Sequence, residues 1–374
     1  MAINLNFNEE QEMIRRSARE FFKDNVSPDV VRKYEDNPEE LPRAVWRQMA
    51  ELGWLGMPFS EAHGGIEAGW LDMLPLYLEL GRSLAPVPHL ESVVIAGCLV
   101  NALGTDAQKD AILPAIAEGR SIVTPAIMEP DGAYGAEAIR LQAKQSGPAY
   151  ALTGVKLLVA YAGAADRLLV AARTGGSGED GISLFLVDPK GAGVTLERTP
   201  NTSGLPLYAV TFKDAAGELL GPAGGAWPAL EDVTLKAAVL QAAMVAGAGE
   251  RILEMSVEYA NTRVQFGQPI GRHQAVQYLV TDVAIHGHNA GLLALHAAWL
   301  IDQGQPFQRF AGYAKAAASK AIAHMTWASH EVHAGIAFII DYDLQLYTRR
   351  GKHWEFNLGD YRHSLEVAAR ATAA

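Results

Sequence analysis

The chain has 374 residues, is 49% hydrophobic and carries a formal net charge of −11 from 31 basic and 42 acidic side chains. That length suggests two or three structural units around a shared interior. The acidic balance without a Lys/Arg tract argues against nucleic-acid binding, which phosphate neutralisation drives. The single Cys98 excludes an intrachain disulfide and fits a reducing cytoplasm.

The opening Met1 to Glu10 has no basic region followed by an apolar core, so no secretory signal is expected. The first ~120 residues read as helical. Asn8 is a candidate N-cap with Gln11 three residues on, and Met13, Ile14, Ala18, Phe21 and Phe22 recur at helical spacing. Leu41-Pro42 starts another helix with Val45, Met49 and Leu52 on one face. Trp70 to Leu84 and Leu90 to Leu103 continue the pattern.

From about Ser121 short β-branched or alternating runs take over: Ile122–Ile127, Tyr150–Thr153, Leu168–Ala172, Ile182–Val187, Val194–Leu196 and Tyr208–Phe212. Turn clusters such as Gly175–Gly181 and Asp188–Gly193 separate them. They predict a small antiparallel β domain. Helices return near Trp227: Glu231–Thr262, about 45–50 Å long at 1.5 Å per residue, then Gln274–Gln303 and Pro306–Ala334. Their small residues, among them Ala242, Ala243, Ala246 and Gly247, permit close packing as in a bundle. Such Ala-rich helices bury little area alone, so an oligomer is expected. Val283 to Ile301 lacks formal charge but contains His286, His288, Asn289 and His296. It reads as a buried bundle helix, not a membrane span. The expected fold class is α+β, with an N-terminal helical domain over 1–120, a middle antiparallel β domain over 121–226 and a C-terminal helical bundle over 227–374.

The segment Arg263-Val-Gln-Phe266-Gly267-Gln-Pro269-Ile270-Gly-Arg-His273-Gln274 closely resembles the Arg-x-x-Phe-Gly-x-Pro-Ile-x-x-x-Gln signature of the acyl-CoA dehydrogenase family. The resemblance covers essentially the whole chain and implies a C-terminal four-helix bundle. A second match runs from His333 through Gly335 and Phe338 to Arg349-Arg350. Family members remove the α-proton of an acyl-CoA while the β-hydrogen leaves as hydride to FAD. The site needs pyrophosphate and adenine contacts, a cradle for the isoalloxazine and a carboxylate base.

The resemblance makes Arg263, Phe266, His273 and Gln274 contacts to the nucleotide end of an FAD held by a neighbouring protomer. Arg263 offers a fixed fork of donors for a pyrophosphate. An exposed helix-end Arg beside an ordinary Phe-Gly turn would look similar locally; the spacing through Gln274 favours the flavin contact. In the later segment the family's Gln and first Gly correspond to Glu331 and Ala334, while Gly335 matches. Glu331 is expected to face away from the pyrophosphate or to contact ribose.

The cradle departs from the pattern. The family's Thr-Glu-Pro-x-x-Gly-Ser loop reads Met128-Glu129-Pro130-Asp131-Gly132-Ala133-Tyr134, and its Lys-x-(Trp/Phe)-(Ile/Val)-(Thr/Ser) strand reads Lys156-Leu157-Leu158-Val159-Ala160. Unpaired isoalloxazine polar atoms would cost on the order of 1–3 kcal/mol each. The base is missing at both family positions, which hold Leu358 before Gly359, and Lys236, Ala237 and Ala238 early in the long helix. Glu355 would share the face of Leu358 if that segment were helical. His330 and His333 stand three apart, not four, so they do not form a zinc helix. The Gly221–Gly225 loop lacks dinucleotide-binding spacing.

The chain thus keeps what it would lend a neighbour and loses what it would use itself. The expected function is the non-catalytic subunit of a heteromeric FAD-dependent acyl-CoA dehydrogenase, similar to α2β2 bacterial enzymes of steroid side chains and other bulky acyl groups. The implied partners are a catalytic paralogue, an acyl-CoA substrate and an electron-transfer flavoprotein, in the cytoplasm. Two alternatives stand beside it: a self-sufficient homo-oligomeric flavoenzyme using a displaced acid such as Glu355, and a scaffold binding neither flavin nor CoA.

Overall fold

In the computed structural model the described residues are 6–35, 37, 39–147 and 149–373. Helix α1 (Glu9–Asn25) begins with the expected capping box: Gln11 N donates to Asn8 Oδ1 at 2.8 Å and Asn8 N to Gln11 Oε1 at 3.0 Å. Helix α2 (Pro28–Glu35) has proline in its first position, where the missing N–H costs no intrahelical bond. Helix α3 (Arg43–Glu51) buries Val45 and Met49, but Leu52 lies just beyond it and is exposed. Helix α4 (Trp70–Ser83) follows the sequence pattern. The stretch expected as one helix to Leu103 instead forms a π-helix over His89–Gly97 that continues into α5 (Cys98–Leu103). Nothing in its apolar run distinguishes the wider turn, because every residue of it except Glu91 is buried. Helix α6 (Asp106–Ala117) starts at a Thr105–Gln108 capping box.

The strands are β1 (Val123–Ala126), β2 (Gln142–Ser146), β3 (Ala149–Ala160), β4 (Arg167–Arg173), β5 (Ile182–Val187), β6 (Val194–Arg198) and β7 (Leu207–Leu220). The C-terminal helices are α7 (Trp227–Thr262), α8 (Gln274–Asp302), α9 (Gln308–His333), α10 (Leu344–Phe356) and α11 (Tyr361–Ala373). Two-residue strands β8 (Val264–Gln265) and β9 (Gln268–Pro269) make a hairpin between α7 and α8.

Two compact units result. One comprises Met1–Arg32, Gly69–Ala85 and Ala238–Ala374; the other Lys33–Ala68 and Pro86–Ala237. In the helical unit α8 packs on α9, and α9 on α10 and α11. Glycines let α4 and α7 approach to backbone contact. A Cβ on Gly81 would lie 1.9 Å from the Met244 carbonyl oxygen, and one on Gly247 would lie 1.8 Å from that of Leu78. Glu79, 1% exposed, is neutralised at this crossing by Arg15 at 3.2 Å and Arg19 at 2.8 Å. Among the described residues no helix is long and apolar enough to cross a membrane.

In the second unit β4, β2, β3, β7 and β5 close into a ring, with β1 beside β4 and β6 beside β7. The pairing is mostly antiparallel, as expected, with two parallel exceptions. β1 runs parallel to β4, and β2 meets β4 in parallel at Gln142–Arg173. β2 is absent from the sequence reading because Gln-Ala-Lys-Gln-Ser is mostly exposed and holds no β-branched residue. β3 is interrupted opposite β7 between Lys156 and Val159. The two intervening residues oppose one on β7, a bulge.

Candidate functional site

The hairpin between α7 and α8 gathers the first group of sequence-selected residues. Ile270 N donates to the Arg263 carbonyl at 2.9 Å, closing the loop. Phe266 sits at its tip with a left-handed φ of 55° and is 91% exposed. Its ring meets His273 edge-on, centroids 5.9 Å apart. An apolar ring presented to water on a strained backbone is unfavourable in the lone chain, and such strain concentrates where function holds it in place. Arg263 is exposed. Its guanidinium has no ion pair or side-chain hydrogen bond with a described residue, so its donors are available. Gln274 opens α8 and donates from Nε2 to Tyr278 Oη at 2.6 Å.

The later segment keeps its backbone shape despite a substitution. Ala334 ends α9 with φ 53°, a glycine-like conformation, and a Cβ on Gly335 would face open space. Glu331 is exposed on the last turn of α9. Neighbouring His330 and His333 are committed elsewhere: His330 Nε2 to Thr348 Oγ1 at 2.7 Å, and His333 Nδ1 to the Ser329 carbonyl at 2.8 Å. His333 also stacks on Tyr259. Burial pushes both imidazoles below their ordinary range, so they stay neutral near pH 7.

In the second unit the loop and strand expected to cradle a flavin ring offer little to it. Glu129 is turned inward. Its Oε1 accepts from Lys156 Nζ at 2.7 Å and from Arg140 N and Leu141 N, both at 2.9 Å. Lys156 also donates to the Ile127 carbonyl at 2.9 Å. The acid of this loop is therefore a structural anchor. Burial lowers the Lys156 amine to about 8, with Glu129 opposing the shift. Sequence reasoning treated both residues as motif letters; their joint retention was the signal for this pair. Leu158 lies on the β3 bulge with φ 55°, half exposed. Met128, Tyr134 and Ala160 supply no aliphatic hydroxyl. At these positions the aliphatic hydroxyls of the family pattern are absent.

The two positions where the resemblance would put the base are equally explicit. Helix α10 stops at Phe356, and Leu358 has φ 60° before Gly359 at 110°. The expectation that Glu355 would share a helical face with Leu358 fails for that reason. Glu355 instead pairs with Lys352 at 2.5 Å, and Asp360 accepts from His363 N at 2.8 Å at the start of α11. Beneath the end of α10, buried Lys315 donates to Ser319 Oγ at 2.7 Å, the Trp354 carbonyl at 3.0 Å and the Glu355 carbonyl at 3.3 Å. It caps orphan C-terminal carbonyls with its amino group. At the earlier position Lys236 pairs with Asp232 at 2.7 Å, while Ala237 and Ala238 are buried.

Comparison with known proteins identifies the family of this fold. The family models for the acyl-CoA dehydrogenase N-terminal, middle and C-terminal domains match residues 8–120, 125–215 and 227–371. A probable acyl-CoA dehydrogenase, YngJ, of Bacillus subtilis is 27% identical, with 98% of this chain and 99% of that protein covered. Among solved structures, the ChsE4-ChsE5 complex from Mycobacterium tuberculosis contains a chain 26% identical with a TM-score of 0.89, covering 99% of each chain. A variant of the Tcur3481-Tcur3483 steroid ACAD contains one 29% identical with a TM-score of 0.87, covering 98% of each. The chain belongs to the acyl-CoA dehydrogenase family.

Proposed function

We propose that this chain is the non-catalytic subunit of a heteromeric acyl-CoA dehydrogenase and completes the FAD site of a catalytic paralogue. FAD is the cofactor that family membership brings, and α,β-desaturation of an acyl-CoA thioester is the reaction. The observation that carries the subunit reading is the split between the two halves of the site. Phe266 and Arg263 are exposed and uncommitted. On the ring side Met128, Tyr134 and Leu158 replace the hydrogen-bonding and aromatic positions, and Leu358 replaces the base.

Arg263 would hold the pyrophosphate of the partner's FAD, and Phe266, with His273 and Gln274, its adenine end; the Glu331–Gly335 turn would flank them. The bound FAD supplies hydride acceptance, while this chain's residues orient its nucleotide tail. The partner supplies the base. Likeness to chains of two heteromeric structures, one of them described as a steroid enzyme, supports this assembly and a bulky, steroid-like acyl substrate. In this reading residues 1–120, 121–226 and 227–374 act as the three family domains, and an electron-transfer flavoprotein reoxidises the complex in the cytoplasm.

The test is the visible spectrum of the chain purified alone and after co-expression with an adjacent paralogue that retains the base. The lone chain is expected to be colourless and inactive, and the pair yellow. Stoichiometric flavin and acyl-CoA oxidation by the lone chain would overturn the proposal. Arg263→Ala should reduce flavin retention by the pair.

A further inference from the structure

Asp282 stands just before the charge-free run of α8, and His286 follows it by four residues. That spacing stacks the two side chains on one face of the helix. Helix α9 comes close at this level because Gly287 has no side chain: a Cβ on it would lie 3.3 Å from the Met325 sulfur. His324, next to Met325, therefore reaches His286, with ring centroids 4.4 Å apart and planes inclined at 49°. His324 Nε2 also lies 3.7 Å from Asp282 Oδ2. None of the three side chains has a hydrogen bond with a described residue. All three are partly open to solvent, beside Trp327, whose ring is 53% exposed and 5.4 Å from that of His324. Two imidazoles and a carboxylate thus gather from two helices without being used by the fold.

We infer that Asp282, His286 and His324 form a binding site for a divalent transition-metal ion such as zinc, which staples α8 to α9. With bonds of about 2.0–2.1 Å, two donors on a tetrahedral zinc stand about 3.3 Å apart. Asp282 and His324 are already within a few tenths of an ångström of that spacing. Among the described residues no three such donors yet enclose one point, so the partly exposed His286 ring turns to bring its nitrogen beside the other two. Two imidazoles with one carboxylate suit zinc, cobalt or nickel, whereas magnesium and calcium take shells of oxygen. Water fills the coordination position left on the open side. Because the ligands come from separate helices, the bound ion adds a cross-link that the unfolded chain lacks, and binding stabilises the fold. The site depends on neither flavin nor the subunit reading.

The test is calorimetric titration of the full chain, free of any tag, with zinc, and a parallel cobalt titration followed by visible absorption. Wild type is expected to bind one ion per chain with a dissociation constant below about 10 μM. Saturating zinc should raise its thermal midpoint, and cobalt should give the visible bands of a four-coordinate ion. Asp282→Asn and His324→Ala should each weaken binding roughly tenfold or more and abolish the thermal shift. His288→Ala is the control: its side chain leaves α8 on the side opposite His286, and both readouts should stay as in wild type. Weaker or non-stoichiometric binding by wild type would overturn the inference without recourse to any variant. So would undiminished affinity in the Asp282 and His324 variants, or an equal loss in His288→Ala, since either would place the ion elsewhere.

Discussion

Glu129 and Lys156 form a closed pair inside the β-containing unit, 2.7 Å apart, with Lys156 fully buried. The pair ties the loop that follows β1 to the strand that bulges at Leu158. It also occupies one of the two acids of the Met128–Tyr134 loop; the other, Asp131, pairs with Arg140 at 3.1 Å. Keeping geometry while losing reactive groups is what a subunit relieved of catalysis would do.

Removing one member of this pair should be far worse than neutralising both. Lys156→Met leaves a buried carboxylate whose remaining partners are the Arg140 and Leu141 backbone N–H groups, and should cost about 3–5 kcal/mol. Glu129→Gln combined with Lys156→Met keeps a carbonyl acceptor for both N–H groups and buries no charge. It should recover a large part of that loss. Urea unfolding of the three proteins decides the matter; equal midpoints for the single and double variants would show that the charge is not what matters.

The α4–α7 crossing makes a sharper packing prediction. Alanine is the better helix former by up to about 1 kcal/mol, yet Gly247→Ala drives a methyl against the Leu78 carbonyl oxygen. Overpacking typically costs about 1–3 kcal/mol, so the net effect should be destabilising and the thermal midpoint should fall. Gly287→Ala is the control. Its nearest neighbour would be the flexible Met325 sulfur at 3.3 Å, so propensity should win and stability should hold or rise. Equal losses at both positions would refute backbone contact at the crossing.

Phe266 separates folding from assembly. With its ring exposed to solvent, Phe266→Ala should leave the unfolding midpoint of the lone chain within about 0.5 kcal/mol of wild type. In the complex with the catalytic partner it should weaken flavin retention roughly tenfold or more. Loss of stability in the lone chain, or unaltered flavin content in the pair, would each contradict the role given to this ring.

Much of the fold was legible because local signals agreed with the tertiary outcome. Asn8 and Gln11 form the capping box their spacing suggests, and the fully buried run Ile182–Val187 is a strand from end to end. The ends of β3 and β7 were not legible. Lys156 and Ala215–Gly217 look like turn or surface residues, but cross-strand pairing includes them, resuming beyond a register shift at Lys213–Asp214. The site divided along the same line. Arg263, Phe266 and Gln274 lie on one short hairpin, so sequence spacing reports their proximity. Glu355 and Asp360 could not be judged that way. Whether an acid is free depends on partners such as Lys352 and the His363 N–H, and spacing carries no record of that.

Lys315 was also invisible in sequence, lost in an Ala-rich helix, yet it should govern the pH dependence of stability. Burial lowers its amine from 10.5 to about 7, against the opposing pull of Asp360 and Glu355. The folded-state value lies below the unfolded one, so between about pH 7 and pH 10 the unfolded chain binds a proton that the folded chain does not. Stability contributed by this residue therefore rises with pH across that window, by at most about 1.4 kcal/mol per unit, and is flat below it. Lys315→Met abolishes the slope while also releasing the Trp354 and Glu355 carbonyls. That second effect changes the level and not the pH dependence. Unfolding free energies of both proteins at pH 7, 8 and 9 should diverge steadily in favour of wild type. Other groups titrating in this range, including Lys156 with its amine near 8, are common to both and cancel in the difference. Parallel curves would mean that the ammonium remains charged in the fold, held by Ser319 and the two helix-end carbonyls strongly enough to offset its burial.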